Sequence, residues 1–237
     1  MSGLYNGSRK KLALIIGQII IYQVVILVIF SFLLKRVGAF GCFDDCFNFG
    51  AGNFLLQGKQ LYSQIFFNHQ PFMAYISAAI QYLSHPQTLF ELVKYHRIAV
   101  LLFADVSGMF LILRFGFPLF LTLCIFESTK FYIFGDRFLA EGIIVYPMLY
   151  LFFLVWNKLT GKTVYVWEYI VAAICSWFIF WTREPFVPWS IAAVFILFVF
   201  SLKEKKLQRI ILIASGVFVA LHVLTLSVLN FHEYILM

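Results

Sequence analysis

Charge is the first thing this sequence lacks. Asp, Glu, Lys and Arg make up 12% of its 237 residues, against about 25% in a typical soluble domain. So little charge excludes a disordered chain, a basic nucleic-acid-binding domain and an ordinary cytosolic enzyme. There is no C-x-x-C pair among the four cysteines, which excludes a cysteine-built zinc site. Cys42 and Cys46 lie four apart in a polar stretch and read as two ordinary small residues. A disulfide between them is the less favoured alternative. No internal repeat and no low-complexity linker is present, so residues 1–237 read as a single membrane domain. No cleavable leader is expected either. Arg9-Lys10-Lys11 precede an apolar run over 12–34 that is too long for a signal core and reads as a retained first span.

What the chain does have is apolar surface. Hydrophobic residues reach 62%, aromatic residues 20%, and there are 30 phenylalanines; mean hydropathy is +0.91. A helix needs about 20 apolar residues to cross a hydrocarbon layer of about 30 Å. Runs over 12–34, 98–113, 115–126, 138–156, 164–181, 186–202 and 210–229 predict an all-α, polytopic membrane bundle of about seven transmembrane helices. The 115–126 run is short, and crosses fully only if it continues past Glu127 towards Phe134.

Between the first two spans lies a long mixed region, 35–97, within which 71–83 is apolar for only 13 residues, roughly 20 Å as a helix. Its pattern is two-faced. Gln70, Ala74, Ser77, Ala78, Gln81 and His85 share a small or polar side, and Phe72, Met73, Ile76, Ala79, Ile80 and Leu83 the other. This predicts an amphipathic helix, about 71–84, lying in the membrane interface. Charge favours that reading over a crossing. With the segment flat, Arg9, Lys10, Lys11, Arg114, Lys158, Lys162, Lys203, Lys205, Lys206 and Arg209 fall on one side, ten of the 18 basic residues. That side is cytoplasmic by the positive-inside rule, so the N-terminus is cytoplasmic and the net charge of +7 reports topology, not nucleic-acid binding. Asp44, Asp45, Glu91, Glu127, Asp136, Glu141 and Glu184 then gather on or near the outer face, with Glu204 and Glu168 inside.

Asp44-Asp45 follow the first span by about ten residues. Neighbouring residues cannot share one face, so one carboxylate turns to a cleft and the other to water or a cation. A carboxylate half out of water is a natural general base, because desolvation raises its pKa towards neutrality. A solvated pair is the bland alternative. Arg183-Glu184-Pro185 stand at the outer end of the fifth span, with proline opening the next. Arg183 suits a phosphate, although an interfacial pair with Glu184 fits equally. His69 either donates to a ligand or caps the amphipathic helix. His96-Arg97 read as a headgroup-level anchor. Asp105, mid-span, is expected to face Ser107 or a neighbouring helix and to be structural, as is His222.

The order Asp44-Asp45, then Gly58-x-x-x-Tyr62, then Asn68-His69-Gln70-Pro71 opening an amphipathic helix resembles the first outer loop of GT-C membrane glycosyltransferases. The likeness is to the protein O-mannosyltransferase and aminoarabinose-transferase branch. It covers about 45 residues closely and the rest by hydropathy alone. It implies transfer of a sugar, a hexose such as mannose, from a polyprenyl-phosphate donor to an acceptor hydroxyl on a protein, lipid or glycan, with inversion. Asp44, with Asp45 second, would be the base. His69, Arg137 and Arg183, with Asp136, Glu141 and Tyr62, would bind the donor phosphate and sugar. No cofactor is implied beyond the lipid-linked sugar, and a divalent metal is not expected. The family commonly carries more spans and a C-terminal acceptor-binding part, so 237 residues match its shared N-terminal module. A truncated product, a minimal enzyme and half of a two-chain system stay open. Two other functions compete. One is a non-catalytic lipid-phosphate-binding or scaffold protein of the same shape. The other is a transporter, which would call for inverted repeats and paired intramembrane charges.

Overall fold

A computed structural model describes residues 2–36, 44–202, 205–229 and 231–235. Cys42, Lys203 and Glu204 lie outside the described residues, as do the side chains of Arg9, Lys10, Lys11, Lys205 and Lys206. The fold is all-α. In chain order the helices are α1 (Ser2–Arg36), α2 (Asp44–Leu56), α3 (Phe72–Ser84), α4 (Leu89–Phe115), α5 (Phe117–Thr129), α6 (Ala140–Leu159), α7 (Val166–Thr182), α8 (Val187–Ser201), α9 (Lys205–Val228) and α10 (Phe231–Ile235). Five segments are helical, long and apolar enough to cross a bilayer: Leu12–Lys35, Leu89–Phe115, Ala140–Leu159, Glu184–Ser201 and Leu207–Val228. They mark a multi-pass membrane protein. α7 is equally apolar but shorter, 17 residues. α5 has 13 and runs into a tight turn of 3-10 helix over Lys130–Ile133. Together those two pieces rise roughly 28 Å, so the continuation past Glu127 is present.

The chain divides into two compact units. The first comprises Met1–Phe43 and Pro86–Tyr146; the second comprises Asp44–His85 and Pro147–Met237. The division falls inside α6 at Pro147, where the missing N–H interrupts the helical ladder.

In the first unit α1 packs on α4 and α5. Tyr22 is wholly buried and donates to the Ala104 carbonyl at 3.1 Å. Gly108 makes room for it, since a Cβ there would stand 2.0 Å from the Tyr22 hydroxyl. Small residues admitting a neighbour's side chain or backbone are the usual basis of helix association in lipid. Asp105 accepts from Gln23 of α1, the interhelical partner a mid-span acid requires. Thr88 caps α4 by accepting from the Glu91 N–H at 3.2 Å, and Gly116 ends it with φ +74°, turning the chain into α5.

In the second unit α7 packs antiparallel against α8 and also packs along α9, the C-terminal halves of α7 and α9 meeting. Trp177 donates to Thr225 at 3.0 Å, Tyr169 and Ser201 share a 2.6 Å bond, and Ser176 bonds Ser190 at 3.3 Å. His222 donates from Nδ1 to the Phe218 carbonyl at 2.9 Å and packs among Phe180, Phe218 and Trp181. Glu168 caps α7, accepting from the Tyr165 N–H at 2.7 Å.

The closest pairing in this unit is α2 with α3, which run antiparallel. The face α3 buries is its small and polar side (Ala74, Ser77, Ala78, Gln81) together with Met73, while Leu83 is 79% exposed. For a helix bordering lipid this is the sensible direction, because its polar atoms find partners only inside the protein. Gln81 supplies the clearest case. Its amide donates to the Phe49 carbonyl of α2 at 2.9 Å and to Ser77 at 3.0 Å. Gly52 lets the backbones meet, since a Cβ there would fall 2.6 Å from Ser77 Oγ and 2.8 Å from the Ala78 nitrogen. Gly50, two residues earlier, has open space around it. Gly52→Ala is therefore expected to destabilise the protein by about 1–3 kcal/mol through overpacking. Gly50→Ala should stabilise it by roughly 0.5–1 kcal/mol through helix propensity. Thermal unfolding of the two variants in detergent checks the contrast.

Candidate functional site

The α2–α3 loop is shaped by its glycine and its tyrosine. Gly58 adopts φ +80°, and the bonds Gly58 N–H to Leu55 C=O (3.0 Å) and Lys59 N–H to Phe54 C=O (3.1 Å) close α2 with a Schellman turn. The chain then folds back on itself. Ile65 donates to the Gln60 carbonyl at 3.2 Å and Tyr62 to that of Ile65 at 3.0 Å. Tyr62 sits at φ +71°, a conformation costing about 1–2 kcal/mol for a residue with a Cβ. Its buried ring and its hydroxyl, which donates to the His69 carbonyl at 2.9 Å, hold it there. Burial, reinforced by Tyr234, Tyr75 and Glu184, pushes the Tyr62 phenol well up, so it stays a neutral donor. The Gly58-x-x-x-Tyr62 element thus has a mechanical meaning: one residue stops the helix and the other staples the loop.

His69 is held on three sides. Its ring meets Phe47 of α2 edge-on at 5.8 Å and Phe67 at 5.8 Å, and those two phenyl rings stack at 5.4 Å. Arg183 Nη1 donates to His69 Nδ1 at 3.2 Å. A guanidinium has only donors, so Nδ1 accepts and the proton resides on Nε2. Arg183 ends α7 in an extended conformation, and the following Glu184–Phe186 turn, with Pro185, leads into α8. The reading of this tripeptide as the junction into the next apolar helix holds.

Beside this pair lies a cavity of about 250 Å³ lined by Tyr62, Phe67, Asn68, His69, Gln70, Glu184 and Tyr234. Tyr234, from α10, packs edge-on against Tyr62 at 5.1 Å and donates to Gln70 Oε1 at 2.9 Å. Aromatic faces, two side-chain amides, an imidazole and one carboxylate suit a ligand rich in hydroxyls and short of bulk.

Asp44 and Asp45 open α2, where the positive end of the helix dipole favours carboxylates. Asp44 is exposed and Asp45 fully buried, the divided pair that adjacency requires. Asp44 lies one turn before Phe47, the residue whose ring touches His69. Cys46 is disulfide-bonded, a correction to the two-ordinary-residues expectation, whereas Cys124 and Cys175 are free thiols. Sequence spacing alone does not report whether a thiol comes within bonding reach of another.

Asp136, Arg137 and Glu141 belong to the first unit, where Glu141 is exposed and the other two are buried. They border a set of charges enclosed between the start of α4, the end of α5 and the start of α6. Lys130 is ion-paired with Glu127, which also accepts from Tyr146, and all three are nearly inaccessible. His96 and Arg97 are buried here too, a correction to their expected role at headgroup level. Phe138 packs edge-on against His96 at 4.8 Å, and His96 Nδ1 lies 2.7 Å from the Leu92 carbonyl. The sequence offered one missed signal: Glu127 and Lys130 stand at i, i+3 beside an apolar run. Arg137 lies 4.5 Å over the Phe134 ring. Among the described residues no three His, Cys, Asp or Glu side chains converge as metal ligands would.

No family model matches this chain, and no curated protein or solved structure matches it significantly. The assignment of function therefore rests on chemistry.

Burial raises the Asp136 carboxyl above its ordinary value, outweighing its own backbone hydrogen bond and the lowering by Arg97, Arg137 and Lys130. The folded protein consequently binds this proton more tightly than the unfolded chain. The associated stability is present below the ordinary carboxylate range and lost as pH rises through the raised value. Asp136→Asn is expected to flatten that part of the stability profile, measured as unfolding temperature against pH in detergent.

Proposed function

We propose that the chain is a GT-C-type membrane glycosyltransferase, moving a hexose such as mannose from a polyprenyl-phosphate donor to an acceptor hydroxyl on the outer face. The observation that carries this reading is the His69–Arg183 pair beside a cavity of aromatic rings, amides and a carboxylate. In the reaction the acceptor oxygen attacks the anomeric carbon while its proton passes to the carboxylate of Asp44, with Asp45 as second choice. The bond from that carbon to the phosphate oxygen breaks, its electron pair leaves with polyprenyl phosphate, and the anomeric configuration inverts. Arg183 and the Nε2–H of His69 meet the charge developing on the departing phosphate. The sugar ring lies against Tyr62 and Tyr234, with its hydroxyls towards Asn68, Gln70 and Glu184. Donor contacts by Asp136, Arg137 and Glu141 are the part of the reading that rests on the family resemblance alone.

Seven crossings belong to this proposal: the five long apolar helices, α7, and α5 with its continuation. α3 is the in-plane helix at the rim, supported by its 13-residue length and its outward apolar side. A disulfide at the start of α2 favours an oxidising, non-cytoplasmic side for that loop. With the N-terminus cytoplasmic, accessibility tags at residues 60 and 206 are expected on opposite sides of the membrane.

The direct test is sugar transfer from polyprenyl-phosphate mannose, and from other polyprenyl-phosphate hexoses, in membranes containing the full chain. Asp44→Asn is expected to reduce transfer by about 10²–10⁴-fold at unchanged expression, with Asp45→Asn read alongside it. Arg183→Lys should lower turnover by removing the planar donor fork. A wild-type protein that binds these donors yet transfers no sugar would instead be a lipid-phosphate-binding scaffold.

A further inference from the structure

A second cavity, of about 390 Å³, opens in the same unit as His69 and Arg183 and shares no lining residue with the first. It is lined by the end of α2 and the following turn, by Tyr75 of α3, and by the last residues of α9. Its chemistry differs from that of the first cavity. Among the described residues lining it, the one charged group is the Lys59 ammonium and none is acidic. Lys59 is not placed at random. The Schellman turn at Gly58 fixes its backbone, and its Nζ stands 4.3 Å over the Phe54 ring. The same cavity is lined by Gln60, with its side-chain amide, and by two hydroxyl-bearing residues, Tyr75 and Ser227. Ser227 donates to the Leu224 carbonyl at 2.7 Å, which leaves its oxygen an acceptor. Leu55, Leu61 and Leu229 supply the apolar walls.

Location says what enters. Val228, which also lines the cavity, is the last residue of α9 and of one of the segments long enough to cross the bilayer. Val228 is 63% exposed, and Leu224, one turn earlier, is 60% exposed. The cavity therefore lies where a crossing helix leaves the hydrocarbon, at the depth of lipid headgroups, and it adjoins an apolar flank that acyl chains can follow. We propose that this cavity is a binding site for a membrane phospholipid, with the phosphodiester held by Lys59 and the Tyr75 hydroxyl and the chains running along the end of α9. A single ammonium matches the single negative charge of a phosphodiester. A soluble phosphate shares that charge but has nothing to lay against α9.

The test is native mass spectrometry of the full chain in maltoside micelles, titrated separately with dioleoylphosphatidylglycerol, inorganic phosphate and dioleoylglycerol. The expected result is retention of phosphatidylglycerol and of neither other probe. Lys59→Gln should weaken retention by about tenfold, the size of one charge-assisted hydrogen bond, while Lys59→Arg keeps it. Lys162→Gln, removing an exposed lysine in the turn before α7, should leave it unchanged. Lys59 is itself exposed, so its loss does not threaten the fold. Equal retention by Lys59→Gln and wild type overturns the proposal. So does an equal loss in Lys162→Gln, which would mark general surface attraction. Retention of inorganic phosphate or of dioleoylglycerol as strong as that of the phospholipid overturns it as well.

Discussion

The close approach of α2 and α3 is the constraint on which the candidate site depends. Two helices of 13 residues meet so tightly that a single Cβ at Gly52 would collide with Ser77 and with the α3 backbone. Gln81 then bonds directly to the Phe49 carbonyl across the gap. With the helices pinned, the segment between them has little freedom. Its Schellman turn, the left-handed Tyr62 and the bond to the His69 carbonyl follow as the means of closing a short path. His69 is delivered to Arg183 by this framework, with the neighbouring Phe67 ring bracing it.

A second theme is the treatment of polar groups in a chain with so few of them. Asp105 meets Gln23, Glu127 meets Lys130 and Tyr146, Trp177 meets Thr225, and Tyr169 meets Ser201. Each joins groups that would be costly in hydrocarbon alone. The burial pattern of α3 obeys the same rule, with small and polar residues turned inward. The enclosed charges of the first unit are its most concentrated expression. Two acids, Glu127 and Asp136, stand there with Lys130, Arg97 and Arg137, and burial still dominates the Asp136 carboxyl. Charge held in that way specifies which helix ends meet, because a misplaced partner leaves an uncompensated ion.

Hydropathy made the helical class legible, and with it the long spans, the amphipathic pattern of α3 and the junction at Arg183-Glu184-Pro185. It could do so because the requirement to satisfy backbone groups in lipid acts on every residue of a span. α2 was not legible. Its glycines at 50 and 52, and the mixture of Asp, Cys, Asn and Phe, carry no strong helical period, and packing against α3 overrides their weak propensity. His96 and Arg97 were misread for a related reason. A polar pair before an apolar run has the same sequence whether it faces headgroups or a buried carboxylate, and only the neighbours decide.

Composition and the scarcity of charge by themselves determined that this chain is helical and crosses a membrane several times, since apolar surface on this scale has no other stable solvent. The division of Asp44 from Asp45 followed from adjacency alone, as successive residues on a helix point about 100° apart. Tertiary structure decided the rest. It chose which carboxylate is buried, brought His69 to Arg183 across 114 positions of sequence, and set Tyr234 of α10 beside Tyr62. Such meetings depend on helix contacts among residues far apart in the chain, and no local pattern encodes a distance of that kind.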